Sequence, residues 1–146
     1  MSRVQLALNV ADLEQSVNFY SKLLGVAPHK RREGYANFAV QDPPLKMVLI
    51  ENPDAAGTIN HLGVEVADPN EVRVAIDRLN AQDLATREEI ATVCCYAQQD
   101  KVWVDDPEGT SWEVYTVTDD DPASVTVDGC CTPTTLSLAE TPTACC

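Results

Sequence analysis

A repeat spaced 56 positions apart constrains this chain more than any other feature: Gln5-x-x-Leu8-x-Val10-x-Asp12 returns as His61-x-x-Val64-x-Val66-x-Asp68. Self-similarity of this kind marks one supersecondary unit used twice, and two such units stack about a pseudo-twofold axis to bury a common face. Each copy begins with strand-like alternation and then changes period. In the first, Val4 to Val10 alternates, Asp12 is placed to cap a helix with the apolar stripe Leu13, Val17, Tyr20 and Leu24, and Gly25 ends it. In the second, His61 to Val66 leads to Asp68 as cap, with Pro69 at the first helical position, Glu71 three after the cap and the stripe Val72, Ala75, Ile76 and Leu79.

Both helices are followed by segments of strand length. In the first copy these are Val26 to Arg31, Tyr35 to Val40 and Leu45 to Ile50, the last two parted by Asp42-Pro43-Pro44, which cannot continue a ladder. In the second copy Leu84 to Glu88, Val93 to Ala97, Lys101 to Val104 and Trp112 to Val117 have β-branched and aromatic content, with Pro107-Glu108-Gly109 as a turn. The expected fold is therefore α+β: two tandem βαβββ modules, 1–55 and 56–118, forming one domain over 1–118. From 119 to 146 the chain is rich in Ser, Thr, Ala, Pro and Asp and has no basic residue or aromatic, a composition expected to stay disordered.

The chain's 45 % hydrophobic content suffices for a core, and 23 acidic against 10 basic residues give a net charge of −13. That charge repels phosphate backbones and anionic membranes, so neither nucleic acid nor lipid is expected as a partner. No leader pattern opens the chain and no run approaches the ~20 apolar residues of a membrane span, so a cytoplasmic monomer or homodimer is expected. No phosphate-binding glycine loop, Ser-His-Asp order or nucleotide fingerprint appears. His29-Lys30-Arg31-Arg32 reads as a solvated turn. Tyr35, Phe38, Tyr96 and Trp103 could line a pocket for an organic group, although Trp103 reads better as core.

Six cysteines fall as the pairs Cys94-Cys95, Cys130-Cys131 and Cys145-Cys146. Small secreted domains spread their half-cystines along the chain, so these are expected to be free dithiols, which chelate soft ions. Neighbouring side chains on a strand diverge, so Cys94 and Cys95 can grip one atom only on a loop. A trivalent arsenic bearing one organic group has two exchangeable oxygens, the number a dithiol replaces. The alternative for the first pair is packing as small apolar residues. The two later pairs read as a metalloid relay, as a four-thiolate site, or as ballast.

Gln5 and His61, being repeat mates, should face one another across the axis. Glu113, within Trp112-Glu113-Val114-Tyr115, is odd on a buried face unless a partner such as a cation neutralises it. Each also has a plain reading: an exposed strand glutamine, a satisfied histidine, an edge charge. Over about its first 118 residues the sequence resembles the vicinal-oxygen-chelate superfamily of glyoxalases, extradiol dioxygenases and fosfomycin-modifying enzymes. The resemblance implies one divalent metal held by Gln5, His61 and Glu113. At the remaining family position, within Leu45 to Ile50, the chain has Lys46 and apolar residues, which leaves coordination sites open for substrate, water or dioxygen.

Tyr35-Ala36-Asn37-Phe38, Pro43-Pro44-Leu45-Lys46, Asn60 to Val66, Cys94-Cys95-Tyr96-Ala97 and Gln99 to Val104 are similar to the carbon-arsenic lyase and cadmium-induced protein branch. That branch implies an Fe(II)-dependent, dioxygen-consuming cleavage of trivalent organoarsenicals such as methylarsenite to arsenite, with Cys94 and Cys95 capturing the substrate; other divalent metals are possible. Two rivals stand beside it: a cadmium- or arsenite-binding stress protein without catalysis, and a thiol or glyoxalase-type metalloenzyme.

Overall fold

A computed structural model describes residues 1–94 and 96–122. The first module is β1 (Arg3–Val10), α1 (Leu13–Leu24), β2 (Lys30–Arg32), β3 (Tyr35–Val40) and β4 (Leu45–Glu51); the second is β5 (Ile59–Glu65), α2 (Pro69–Asn80), β6 (Thr86–Cys94), β7 (Ala97–Asp105) and β8 (Ser111–Asp119). All eight strands form one sheet in the order β2-β3-β4-β1-β5-β8-β7-β6. Each half is βαβββ, and the halves meet where β1 runs antiparallel to β5, with β4 and β8 parallel to their own first strands. The result is a half-barrel with the repeat's pseudo-twofold axis between β1 and β5.

Both helices start and stop for local reasons. The Asp12 carboxylate accepts from Gln15 N at 2.9 Å, and Gly25 closes α1 at φ 69°, where a side chain would be strained. Asp68 accepts from the amides of Asn70 and Glu71 at 2.8 and 3.1 Å. Their apolar stripes cover one face of the sheet. Leu13 and Val17 pack with Phe38, Met47 and Leu49, while Val72, Ala75 and Ile76 pack with Val102. Burying side chains of this size stabilises by about 1.5–3 kcal/mol each. With one face committed to the helices, strand alternation turns Gln5, Ala7, His61 and Glu113 toward the concave inner face.

The second module departs from the expected strand boundaries. Leu84 to Glu88 and Val93 to Ala97 do not form separate strands: β6 runs from Thr86 through a bulge between Glu89 and Thr92 to Cys94, and β7 starts at Ala97. At the bulge Ala91 adopts φ 52° and its amide donates to Asp100 Oδ1 at 2.8 Å. An extra residue resets the alternation, which hides the strand's continuity from period counting. The strand expected over Val26 to Arg31 is the shorter β2, Lys30 to Arg32, so the basic run is not simply a solvated turn, and Lys30 is buried. Among the described residues no helix is long and apolar enough to cross a membrane. The expected disorder of the tail, and the pairs Cys130-Cys131 and Cys145-Cys146, lie outside the described residues, as does Cys95.

Candidate functional site

The strand register brings three distant residues to one point on the inner face. Gln5 stands opposite Gly63 on β5, and Gly63 stands opposite Glu113 on β8; His61, two residues before Gly63, shares its face. Gln5 Nε2 lies 3.0 Å from His61 Nε2 and 2.6 Å from Glu113 Oε1, and His61 Nε2 lies 3.4 Å from Glu113 Oε1. All three are buried. Gly63 is a glycine for a spatial reason, since a Cβ there would sit 2.9 Å from Glu113 Cγ and 3.1 Å from its carbonyl oxygen.

The surroundings fix each corner of the triangle. Lys101 Nζ, fully buried on β7, donates to Glu113 Oε2 at 2.9 Å, leaving Oε1 to face the other two. Burial alone pushes the Glu113 carboxyl upward; the Lys101 ammonium beside it outweighs this, and Glu113 is held at about 2. It is a carboxylate at neutral pH. Tyr115, two residues after Glu113 on the same face, donates to Gln5 Oε1. Burial, together with the negative charges of Glu65 and Glu113, raises the Tyr115 phenol well above its ordinary value, so it stays a donor. Trp103 sets its ring edge-on to His61 with centroids 5.4 Å apart, so the core residue expected from the sequence is also a wall of the site.

The triangle fits a divalent cation. Neighbouring donors around a metal at ~2.1 Å stand about 3 Å apart, close to the three separations found here. The donor chemistry is one imidazole, one carboxylate and one amide. Gln5 now turns its nitrogen inward, and a half-turn about its terminal bond brings Oε1 to the same corner, where the Tyr115 hydroxyl can accept from the amide instead. Among the described residues no cluster of three or more His, Cys, Asp or Glu gathers, so the cation reading rests on this mixed set. A cavity of ≈ 20 Å³, about one water in size, adjoins the triangle and is lined by Gln5, Tyr35, Lys46, Val48, His61, Gln99 and Glu113. A larger crevice of ≈ 490 Å³ between α1 and the β4–β5 connection has no carboxylate, imidazole or thiol in its lining. The three candidate donors all line the smaller cavity.

Cys94 ends β6 and pairs with Ala97 across a turn, as a gripping residue requires. It is buried and disulfide-bonded, which corrects the expectation of a free thiol: this sulfur can chelate only after reduction. The turn adjoins the cavity. Gln99, which lines the cavity, donates from Nε2 to the Cys94 carbonyl at 3.1 Å, and Tyr96 packs on Tyr35 with centroids 6.1 Å apart. The basic segment clasps this turn from the first module. Lys30 Nζ donates to the Tyr96 carbonyl at 3.3 Å and to Asp120 Oδ1 at 2.7 Å, and Arg32 lies over the Tyr96 ring at 5.8 Å. Phe38 belongs to the core under α1.

Gly63, Lys101 and Tyr115 escape motif reading. A signal was present, since each lies two residues from a site residue, or opposite one, on a strand of the same sheet. Only the register between strands turns that spacing into contact.

Residues 3–114 match the Glyoxalase/Bleomycin resistance protein/Dioxygenase superfamily. The chain is 62 % identical over 117 residues to the cadmium-induced protein CadI of Mycobacterium tuberculosis, covering 80 % of this chain and 77 % of that one. It is 57 % identical over 136 residues to the trivalent organoarsenical cleaving enzyme of Thermomonospora curvata, covering 91 % and 90 %. Among solved structures, the 2,3-dioxygenase LapB of Pseudomonas sp. KL28 superimposes with a TM-score of 0.62 at 23 % identity, over 86 % of this chain and 44 % of that one. An eight-stranded half-barrel built from a repeated βαβββ unit, matched by family and relatives alike, makes this chain a member of the glyoxalase/bleomycin resistance protein/dioxygenase superfamily.

Proposed function

We propose that Gln5, His61 and Glu113 hold one divalent metal, Fe(II) in the working protein, and that the chain cleaves the carbon-arsenic bond of trivalent organoarsenicals, with methylarsenite as the simplest substrate and dioxygen as co-substrate. The observation that carries this reading is the adjacency of two features, a buried triangle of metal donors and a cysteine turn joined to the same cavity through Gln99. The names of the arsenical-cleaving relatives support it. A cytoplasmic setting, where dithiols are kept reduced, suits it.

Once an external thiol has reduced the disulfide at Cys94, supplying two electrons and two protons, capture starts from the thiols of Cys94 and Cys95. Two thiols displace the two hydroxyls of methylarsenite, forming two sulfur-arsenic bonds and releasing two waters, while the carbon-arsenic bond stays intact. Tyr35 and Tyr96 then shield the captured group from bulk water on the side where they pack together. Lys101 keeps Glu113 Oε2 occupied so that Oε1 is the atom offered, and Trp103 holds the plane of His61. Fe(II), when bound, supplies the one-electron chemistry that lets dioxygen react. With the thiols reduced, the cleavage itself closes without a further reductant: methylarsenite and dioxygen yield formaldehyde and arsenous acid, with carbon losing four electrons and dioxygen gaining them.

The test is to load phosphine-reduced protein with Fe(II) under argon, add methylarsenite, and divide the sample between air and argon. Arsenite release matched by formaldehyde in air alone is the expected result. Binding without release in air would make the chain a sequestrant, and release under argon would make it a thiol-dependent metalloenzyme. Full turnover in a Cys94→Ser, Cys95→Ser variant would remove the capture step.

A further inference from the structure

We infer that Asn60 and Asn9 are positioning residues for His61, a relay of side chains that fixes which ring nitrogen His61 presents to the triangle. The inference rests on the metal reading above for its purpose, and on the hydrogen bonds of the protein alone for its geometry.

The relay runs away from the site without a break. His61 Nδ1 lies 2.8 Å from Asn60 Oδ1; Asn60 Nδ2 donates to Asn9 Oδ1 at 3.0 Å; Asn9 Nδ2 donates to Thr58 Oγ1 at 2.9 Å; and Thr58 Oγ1 donates to the Ala55 carbonyl at 2.6 Å. Its direction follows from its far end. A backbone carbonyl can only accept, so the Thr58 hydroxyl spends its one hydrogen there and must accept from Asn9. That points the Asn9 amide nitrogen at Thr58 and its carbonyl oxygen at Asn60. Facing an acceptor, Asn60 must offer its nitrogen to Asn9, which turns its own oxygen to His61. The imidazole therefore carries its proton on Nδ1 and presents the Nε2 lone pair to Gln5 and Glu113.

The backbone holds this relay in place. Asn9 N donates to the Thr58 carbonyl and Gly57 N to the Asn9 carbonyl, each at 3.0 Å, so β1 and the β4–β5 connection cannot drift apart while both bonds stand. Asn9 is itself buried, where reorienting an amide would strand a donor against a donor. A histidine that donates from one nitrogen to an oxygen is a more basic and better oriented metal ligand at the other, and loss of such a partner weakens metal binding by about 10- to 100-fold.

The experiment uses the full chain and two readouts. Metal-free protein labelled with nitrogen-15 at histidine reports the tautomer of His61 by NMR, and Mn(II) titration followed by electron paramagnetic resonance reports affinity. In the unaltered protein His61 should be protonated at Nδ1. Asn60→Leu, which removes the acceptor, should give mixed tautomers and weaken Mn(II) binding by about 10- to 100-fold. Asn60→Asp gives up the bond to Asn9 but keeps an acceptor for His61 Nδ1, and should bring back the Nδ1 proton and most of the Mn(II) affinity, a rescue that a merely structural role does not predict. Should Asn60→Leu fold poorly, Thr58→Val at the exposed far end loosens the direction of the relay and should shift the tautomer signal partway. An unchanged tautomer and affinity within twofold in Asn60→Leu would overturn the inference. If the unaltered protein binds no Mn(II), the metal reading fails by itself and the NMR result still decides the relay.

Discussion

Ala7 of β1 stands opposite Val48 of β4; its repeat mate Gly63 of β5 stands opposite Glu113 of β8. The two modules thus present the same four places on the inner face and fill them differently. Gln5 and His61 are mates that both face the triangle, whereas the carboxylate Glu113 has an apolar valine as its mate. On the proposed metal reading a twofold-symmetric pair of modules would supply four donors; here the second would supply two and the first only an amide. The difference locates the open side of the site. It lies toward Val48 and Tyr35, which line the cavity and lead to Tyr96 and the cysteine turn.

The largest consequence of this asymmetry concerns charge. In the second module Glu113 and Lys101 form a fully buried pair, while the Val48 position of the first module carries none. Glu113→Gln leaves the Lys101 ammonium buried without its counter-ion, a change that costs about 3–5 kcal/mol. Urea unfolding of the metal-free protein should show this loss, together with loss of Mn(II) binding. Adding Lys101→Met to Glu113→Gln should recover most of the stability and none of the metal binding. If the single variant unfolds at the parent's urea concentration, the pair is not the organising charge of the second module.

How far this was legible in the sequence differs between the halves for a physical reason. The repeat, both helix caps and both apolar stripes could be read directly because caps and stripes are local, set by residues three or four apart. Gln5 and His61 could be paired through the repeat and Glu113 singled out as an odd carboxylate, but their joint role as one set came only through the resemblance, since their meeting depends on register between β1, β5 and β8, which no local spacing encodes. Lys101 went unnoticed because a lysine normally reads as surface, and its burial makes sense only beside a carboxylate from another strand. Segment 84–97 was misread because the bulge at Ala91 breaks the two-residue period that identifies a strand. Lys30 was misread because a run of basic residues gives no hint that Asp120 and the Tyr96 carbonyl lie across from it.

The mates Ala7 and Gly63 allow a smaller test. Gly63→Ala forces a methyl to within 2.9 Å of Glu113 Cγ and 3.1 Å of its backbone oxygen, so the carboxylate or β8 must shift. Overpacking of this kind costs about 1–3 kcal/mol, and the displaced Oε1 should weaken Mn(II) binding as well. Ala7→Gly is the mirror change, opposite a valine rather than a carboxylate. It should cost about 0.5–1 kcal/mol through backbone freedom and leave the triangle's geometry alone. Equal penalties on stability and on metal affinity for the two variants would mean that the modules do not differ at this place.

Val48→Glu asks whether the missing donor is what keeps the site open. Val48 is buried and lines the same small cavity as Gln5, His61 and Glu113, and its backbone holds the place in the first module that Glu113 holds in the second. A carboxylate there restores the symmetric donor set. Without metal it adds a second buried anion beside Glu113, with Lys46 of the same strand as a cation at hand, so stability should fall modestly. With metal the added anion is compensated, and Mn(II) affinity should rise about tenfold, equivalent to ~1.4 kcal/mol. Turnover of methylarsenite should drop at the same time, because the position left for substrate or dioxygen is filled. Tighter metal binding with undiminished turnover would show that the open side of the site lies elsewhere, and that the valine is packing rather than a device for access.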